Sequence, residues 1–175
     1  MSTLTQTKQT ELADKLSLEG QTALVTGSAM GIGRAIAETL HSAGANLILL
    51  DPDPALNEFA QELEEEREGS TWCRSVDISD QEQVMETFAQ ASGGFGSVDV
   101  LVNNAGIYPS CEILDMSEDL FRRTLEVNLL GMFFCTQQAA RQMIADGEGG
   151  SIINITSIDA VHPATTGLAH YDASK

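Results

Sequence analysis

Thr26-Gly27-Ser28-Ala29-Met30-Gly31-Ile32-Gly33 follows directly on the apolar run Thr22 to Thr26 (TALVT). It opens a segment in which Ile32, Ala35, Ile36 and Leu40 recur at helical spacing until Gly44, a residue suited to a left-handed helix cap. A glycine-rich turn between a strand and a helix is the context in which glycines signal dinucleotide binding. Gly27 lets the chain turn tightly, Gly31 lets the backbone approach a pyrophosphate, and Gly33 lets helix and strand pack closely. The residues between them, Ser28, Met30 and Ile32, border the same turn, and the helix N-terminus offers free N–H groups and a positive dipole end to the phosphates.

The next apolar run, Asn46 to Leu50 (NLILL), ends at Asp51, eighteen residues after Gly33. A carboxylate there can accept both ribose hydroxyls of NAD. It would also repel a 2′-phosphate, and no Lys or Arg occurs at Ser28 to Met30 or Pro52 to Pro54 to compensate, so NAD is favoured over NADP. Arg34 lies inside the helix, where it is expected to face solvent or form a salt bridge.

Three further strand candidates follow, Thr71 to Val76, Val98 to Val102 and Ser151 to Ile155, and helix-period segments separate them. Leu56, Phe59, Ala60 and Leu63 form the apolar stripe of a second helix, and Val84, Met85, Phe88 and Ala91 that of a third. A long helical region over about Ser117 to Ala145 offers Leu120, Leu125, Leu129, Phe133 and Ala140. This alternation implies an α/β fold, a doubly wound parallel sheet of the Rossmann type flanked by helices.

At 175 residues and 42% hydrophobic content the chain can bury one substantial core. With 26 acidic against 9 basic residues the formal charge is −17, which argues against nucleic acid and anionic membrane as partners. The run Glu62-Leu63-Glu64-Glu65-Glu66 reads as a solvated helix face. No apolar run approaches the ~20 residues needed to cross a bilayer, and Met1 to Gly20 lacks the apolar core of a signal peptide, so a cytoplasmic location is expected. Cys73, Cys111 and Cys135 show neither disulfide nor zinc spacing, and His41, His162 and His170 have no metal-ligand spacing, so no metal is expected. His162 and His170 lie near enough to Tyr171 in sequence to line a substrate pocket.

Tyr171-Asp172-Ala173-Ser174-Lys175 sets a phenol and an ammonium four positions apart, which stacks them on one helix face. An ammonium beside a phenol favours the phenolate, the condition for a proton shuttle to a substrate oxygen.

Taken together these segments resemble the short-chain dehydrogenase/reductase family from about Gly20 to Lys175. The glycine turn is similar to that family's Thr-Gly-x-x-x-Gly-x-Gly. Val76-Asp77-Ile78 looks like its adenine-contact segment, with the Asp77 carboxylate near the adenine amine and Ile78 beside it. Asn103-Asn104-Ala105-Gly106 matches its Asn-Asn-Ala-Gly motif, in which Asn104, Ala105 and Gly106 border the cofactor. Val127-Asn128-Leu129-Leu130-Gly131 matches the segment of the catalytic asparagine, and Ile155-Thr156-Ser157 that of the catalytic serine. The resemblance implies Tyr171 as general acid/base, Lys175 as the group that favours its phenolate and holds the nicotinamide ribose, Ser157 as hydrogen-bond donor to the substrate oxygen, and Asn128 as holder of a relay water. The implied reaction is NAD-dependent interconversion of an alcohol and a ketone or aldehyde. Ser157 precedes Tyr171 by fourteen residues, where many members have one fewer, and the loop from Ile158 to His170 absorbs the difference.

Family members normally continue for several dozen residues past the lysine. The expectation is therefore a polar leader over 1–17 and an NAD(P)-binding domain over 18–175, truncated before its last strands. On that expectation the 175-residue chain alone is inactive and aggregation-prone, and a longer form is a homodimer or homotetramer. The other reading of the residues is a non-catalytic dinucleotide-binding or interaction fragment. Asp159-Ala160-Val161-His162-Pro163 points towards a polar small-molecule ligand such as a sugar or polyol.

Overall fold

The computed structural model describes residues 15–163 and 165–175; the polar leader expected over 1–17 falls almost wholly outside them. Five parallel strands form one sheet in the order β3-β2-β1-β4-β5. They are β1 (Thr22–Thr26), β2 (Asn46–Leu50), β3 (Thr71–Arg74), β4 (Val100–Asn103) and β5 (Ser151–Asn154). The helices are α1 (Gly31–Ser42), α2 (Ala55–Glu66), α3 (Gln81–Phe95), α4 (Glu118–Leu125), α5 (Met132–Asp146) and the short α6 (Ala169–Ser174). A π-helical turn, Glu126–Gly131, joins α4 to α5.

Successive strand residues point to opposite faces, and this alternation sorts the core into two layers. Ala23, Val25, Leu47, Leu49, Val100 and Val102 meet Ala37 of α1 and Leu56, Phe59, Ala60 and Leu63 of α2. Leu24, Ile48, Leu50 and Leu101 meet Val84, Phe88 and Ala91 of α3 and Cys135, Ala139 and Met143 of α5. Each fully buried Leu, Ile or Phe side chain contributes roughly 1.5–3 kcal/mol, so the central strands dominate the cohesion of the fold. In the register Leu24↔Ile48 and Leu24↔Leu101, three of these side chains stand abreast on one face.

β1 and β2 occupy the residues expected of them. β3 stops at Arg74 rather than Val76 and β5 at Asn154 rather than Ile155. β4 starts at Val100 rather than Val98, because the Val98 N–H donates to the Gln142 side chain at 3.2 Å instead of joining the ladder. β5 pairs only with β4 and all four of its residues are exposed. No helix among the described residues is long and apolar enough to cross a membrane.

The long helical region corrects the expectation most. Leu129 and Phe133, expected in the core, are 42% and 51% exposed, and the buried positions are Thr124, Val127, Asn128, Gly131, Cys135, Ala139 and Met143. Small residues dominate this stripe because the helix comes too close to its neighbours for large ones. A Cβ on Gly131 would stand 2.7 Å from Ile78 Cδ1. Met85 of α3 is likewise exposed, and Thr87 is buried in its stead. Its hydroxyl donates to the Gln83 carbonyl and accepts from Arg74.

At the opposite end of the sheet from the glycine turn, the buried ring of His41 closes α1 against the start of β3. Its Nε2 is 2.9 Å from Ser70 Oγ and its Nδ1 is 3.6 Å from Glu66 Oε2. Burial, and then the charge of Arg67, hold the imidazole below its ordinary pKa against the pull of Glu66 and Glu64. The native state therefore keeps the ring neutral where the unfolded chain protonates it. The resulting stability is full above about pH 6.5 and is lost as the pH falls through the lower native value. Urea-unfolding midpoints should fall between pH 7 and pH 5, before the carboxylates titrate, and His41→Gln should flatten that part of the profile.

Candidate active site

β1 and β4 are neighbours whose following segments leave in opposite directions, to α1 and to the loop after Asn103. This is the switch point at which doubly wound sheets bind ligands. The glycine turn sits there. A Cβ on Gly33 would fall 2.0 Å from the Gly27 carbonyl oxygen, so only glycine allows helix and turn this approach. No side chain caps the N-terminus of α1 and no acidic residue stands in its first turn, so its N–H groups remain available to an anion. Ser28 is buried, with its hydroxyl towards the Leu50 carbonyl, whereas Met30 and Ile32 stand exposed at the rim.

Asp51 closes one side of this cradle. Its Oδ2 accepts the Ala29 N–H at 3.0 Å and its Oδ1 the Asp53 N–H at 2.9 Å, which ties the glycine turn to the end of β2. Arg34 forms ion pairs with Glu38 and Glu62 and stacks on Phe59, 4.4 Å from the ring centroid, so it offers no free cation to a phosphate. Asp77 accepts from the Ser79 N–H and hydroxyl and pairs with Arg123 Nη2 at 2.7 Å. Burial pushes its carboxyl up, but Ser79 and Arg123 outweigh that and hold it below the usual carboxylate range. Arg123 has no mark of its own in the sequence, since Arg122-Arg123 reads as an ordinary exposed helix pair. The Ile78 side chain is spent in the core, which leaves its backbone to border a ligand.

On the other side of the switch point, Asn104 Nδ2 donates to the Thr26 and Gly27 carbonyls at 3.1 and 2.9 Å. Thr26 Oγ1 accepts the Asn104 and Ala105 N–H groups, both at 3.1 Å. Asn103 Nδ2 donates to Asn154 Oδ1 at 2.9 Å and so links β4 to β5. Gly106 faces both Asn128 and Lys175. A Cβ built on it would lie 3.3 Å from each of Asn128 Oδ1 and Lys175 Nζ.

Asn128 is buried in the π-helical turn, a device that recurs at functional sites. Its Oδ1 accepts the Ile107 N–H at 2.8 Å, and its Nδ2 donates to the Ile107 carbonyl at 2.9 Å and to Ser174 Oγ at 2.8 Å. Both amide protons are thus committed, and one Oδ1 lone pair is left. Lys175 Nζ donates to the Ile155 carbonyl at 3.0 Å, lies 5.9 Å from the Tyr171 ring centroid, and is pushed below the ordinary lysine pKa by burial. Tyr108, which sequence reasoning missed, meets Tyr171 edge-on at 6.0 Å. Ser157 caps the 3₁₀ turn Ile158–Ala160, where its Oγ accepts the Asp159 N–H and donates to Asp159 Oδ2, both at 3.2 Å. The structure therefore gathers Asn128, Gly106, Tyr171 and Lys175 into one cluster, with Ser157 on the segment that runs on from Ile155. His170 is fully buried and does not line a pocket, and His162 is exposed.

The family model for short chain dehydrogenases matches residues 21–175. An L-rhamnose 1-dehydrogenase (NAD(P)(+)) of Sphingomonas sp. (strain SKA58) is 40% identical over 146 residues, which cover 82% of this chain and 57% of that protein. A sorbitol dehydrogenase of Cereibacter sphaeroides is 38% identical over 144 residues, 81% of this chain and 54% of the relative. Among solved structures, a gluconate 5-dehydrogenase from Burkholderia cenocepacia J2315 in complex with NADP and tartrate superposes with a TM-score of 0.84 at 34% identity, over 94% of this chain and 64% of that one. The chain belongs to the short chain dehydrogenase family of oxidoreductases. It spans little more than half the length of these two curated relatives.

Because the Gly27 carbonyl leaves no room at Gly33, Gly33→Ala should lower unfolding stability by about 1–3 kcal/mol, and weaken dinucleotide binding as the turn is pushed out of place. Urea denaturation and NADH fluorescence titration read the two effects separately.

Proposed function

We propose that this protein is an NAD-dependent oxidoreductase that interconverts an alcohol and a ketone or aldehyde, with Tyr171 as general acid/base. The observation that carries this reading is the convergence of Asn128 and Lys175 on Gly106, beside Tyr171, at the sheet's topological switch point. The cradle fits a dinucleotide, with a helix N-terminus free of caps and acids, a glycine turn with no space for a side chain at Gly27 or Gly33, and a carboxylate at the end of β2. In this reading the Gly27 to Gly33 backbone, including Ser28, Met30, Gly31 and Ile32, holds the pyrophosphate. Asp51 takes the adenosine ribose hydroxyls, Asp77 and the backbone at Ile78 the adenine, and Asn104, Ala105 and Gly106 the nicotinamide half. The cofactor, when bound, supplies the hydride chemistry.

The residues of the chain supply proton handling and orientation. Tyr171 exchanges the proton of the reacting hydroxyl, Lys175 favours its phenolate and reaches the second ribose, and Ser157 meets the reacting oxygen as a hydrogen-bond donor. Asn128 holds the lysine's helix through Ser174, and its remaining Oδ1 lone pair receives the relay water. The names of the relatives, which include rhamnose, sorbitol and gluconate, support a polyhydroxylated small molecule as substrate. Exposed Leu129, Leu130 and Phe133 on and beside α5 support assembly with a second copy, as a homodimer or homotetramer.

Tyr171→Phe, made in the protein as its gene encodes it, should lower turnover by about 100- to 10,000-fold and leave the NADH dissociation constant within about twofold. Retention of most of the activity would remove Tyr171 from the mechanism.

NAD should be preferred to NADP because Asp51 opposes a 2′-phosphate and the nearest guanidinium, Arg34, is already paired. Asp51→Ala combined with Pro52→Arg should raise the NADP-to-NAD ratio of kcat/KM by about tenfold or more. A wild-type protein that favours NADP would overturn the assignment of Asp51.

A further inference from the structure

The turn after β5 places a carboxylate in direct contact with the proposed oxygen-binding serine. Asp159 Oδ2 lies 3.2 Å from Ser157 Oγ, and the Asp159 N–H meets the same oxygen. Among the described residues no donor meets Asp159 Oδ1, and the residue is half-buried without that oxygen being sealed from solvent, so one carboxylate oxygen is left free to accept hydrogen bonds. The loop after β4 and the segment before α6 are pinned to one another. The Cys111 N–H donates to the Gly167 carbonyl at 2.9 Å, and Thr166 Oγ1 donates to Glu112 Oε1 at 3.1 Å. Residues 104–116 and 155–175 carry Glu112, Asp115, Asp159 and Asp172 against one cation, Lys175, and that ammonium is turned onto the Ile155 carbonyl.

We propose that Asp159 is a specificity-determining residue that selects uncharged polyhydroxy substrates, alditols and aldoses, over their carboxylate-bearing counterparts. This rests on the oxidoreductase reading above. A fixed carboxylate accepts hydrogen bonds from the hydroxyls next to the reacting carbon, in place of the water they give up. A substrate carboxylate in the same position finds no guanidinium or free ammonium on these segments, meets a like charge, and loses affinity.

The experiment compares kcat/KM for sorbitol and ribitol with that for gluconate, with NAD, in the protein as its gene encodes it and in Asp159→Asn. The asparagine keeps the shape and the acceptor for Ser157 but removes the charge. The wild type should favour the alditols by about tenfold or more at low salt, with the margin shrinking as ionic strength rises. Asp159→Asn should compress the margin about tenfold. A merely structural turn residue would lower all three substrates in proportion, and that result would overturn the proposal. So would a wild type that oxidises gluconate as well as sorbitol, a margin that does not respond to salt, or a preference for an alkyl or steroid alcohol over all three. If no alcohol of any class reduces NAD or NADP, the oxidoreductase reading itself fails, and this inference with it.

Discussion

Two side chains, Thr26 and Asn104, hold the switch point together, and the geometry of the site follows from them. Parallel strands whose continuations diverge have no ladder bonds beyond their last paired residues, so their ends must be joined by other means. Thr26 Oγ1 takes the first two N–H groups after β4, and Asn104 Nδ2 returns two bonds to the last carbonyls of β1 and its turn. One of those carbonyls, Gly27, is the atom that excludes a side chain at Gly33. The same knot therefore sets the start of α1 and the path of the chain through Ala105, Gly106 and Ile107.

From Ile107 the linkage continues to the other half of the site. Its N–H and carbonyl are both taken by Asn128, which passes the constraint to Ser174 and so to the helix that bears Tyr171 and to Lys175 at its end. A single hydrogen bond of this kind adds only about 0.5–1.5 kcal/mol, but an orphaned buried partner costs about 1–3 kcal/mol. The series therefore acts more by excluding other arrangements than by cohesion. The π-helical turn allows this. Its phase lets Asn128 reach Ile107 while Gly131 lies close against Ile78.

What the sequence made legible divides along the same physical line. β1 and β2 were readable to the residue, because fully buried parallel strands appear as unbroken apolar runs with turn residues at both ends. The stripes of α1 and α2 were readable because their large side chains face the sheet. α4 and α5 misled because close packing reserves their buried stripe for Thr124, Gly131, Cys135 and Ala139 and sends Leu129 and Phe133 outward, a choice that hydrophobicity alone reverses. In the site, the glycine turn, Asp51 and the Tyr-Lys pair stood out by spacing. Arg123, Tyr108 and the contact between Ser157 and Asp159 did not, since each depends on which loop folds against which. Asn128 was named only through its motif, as nothing in its own neighbourhood marks it as different from an ordinary helical asparagine.

The electrostatics of the cradle address how a chain with a formal charge of −17 can offer a place to a dinucleotide, itself an anion. The first turn of α1 has no carboxylate, Asp51 meets the glycine turn only through the Ala29 N–H, and the Arg34 guanidinium is consumed by Glu38 and Glu62. What remains at the start of α1 is the backbone itself, with uncapped N–H groups and the positive end of a helix dipole. Such a field is short in range and matched to a pyrophosphate at one location. In the proposed arrangement, with Asp51 on the adenosine ribose, it would give no support to a further phosphate there. On this account the proposed preference for NAD does not come from a contact made to NAD alone. It comes from a site that attracts anions only through its backbone, and places a fixed negative charge where the second anion would have to go.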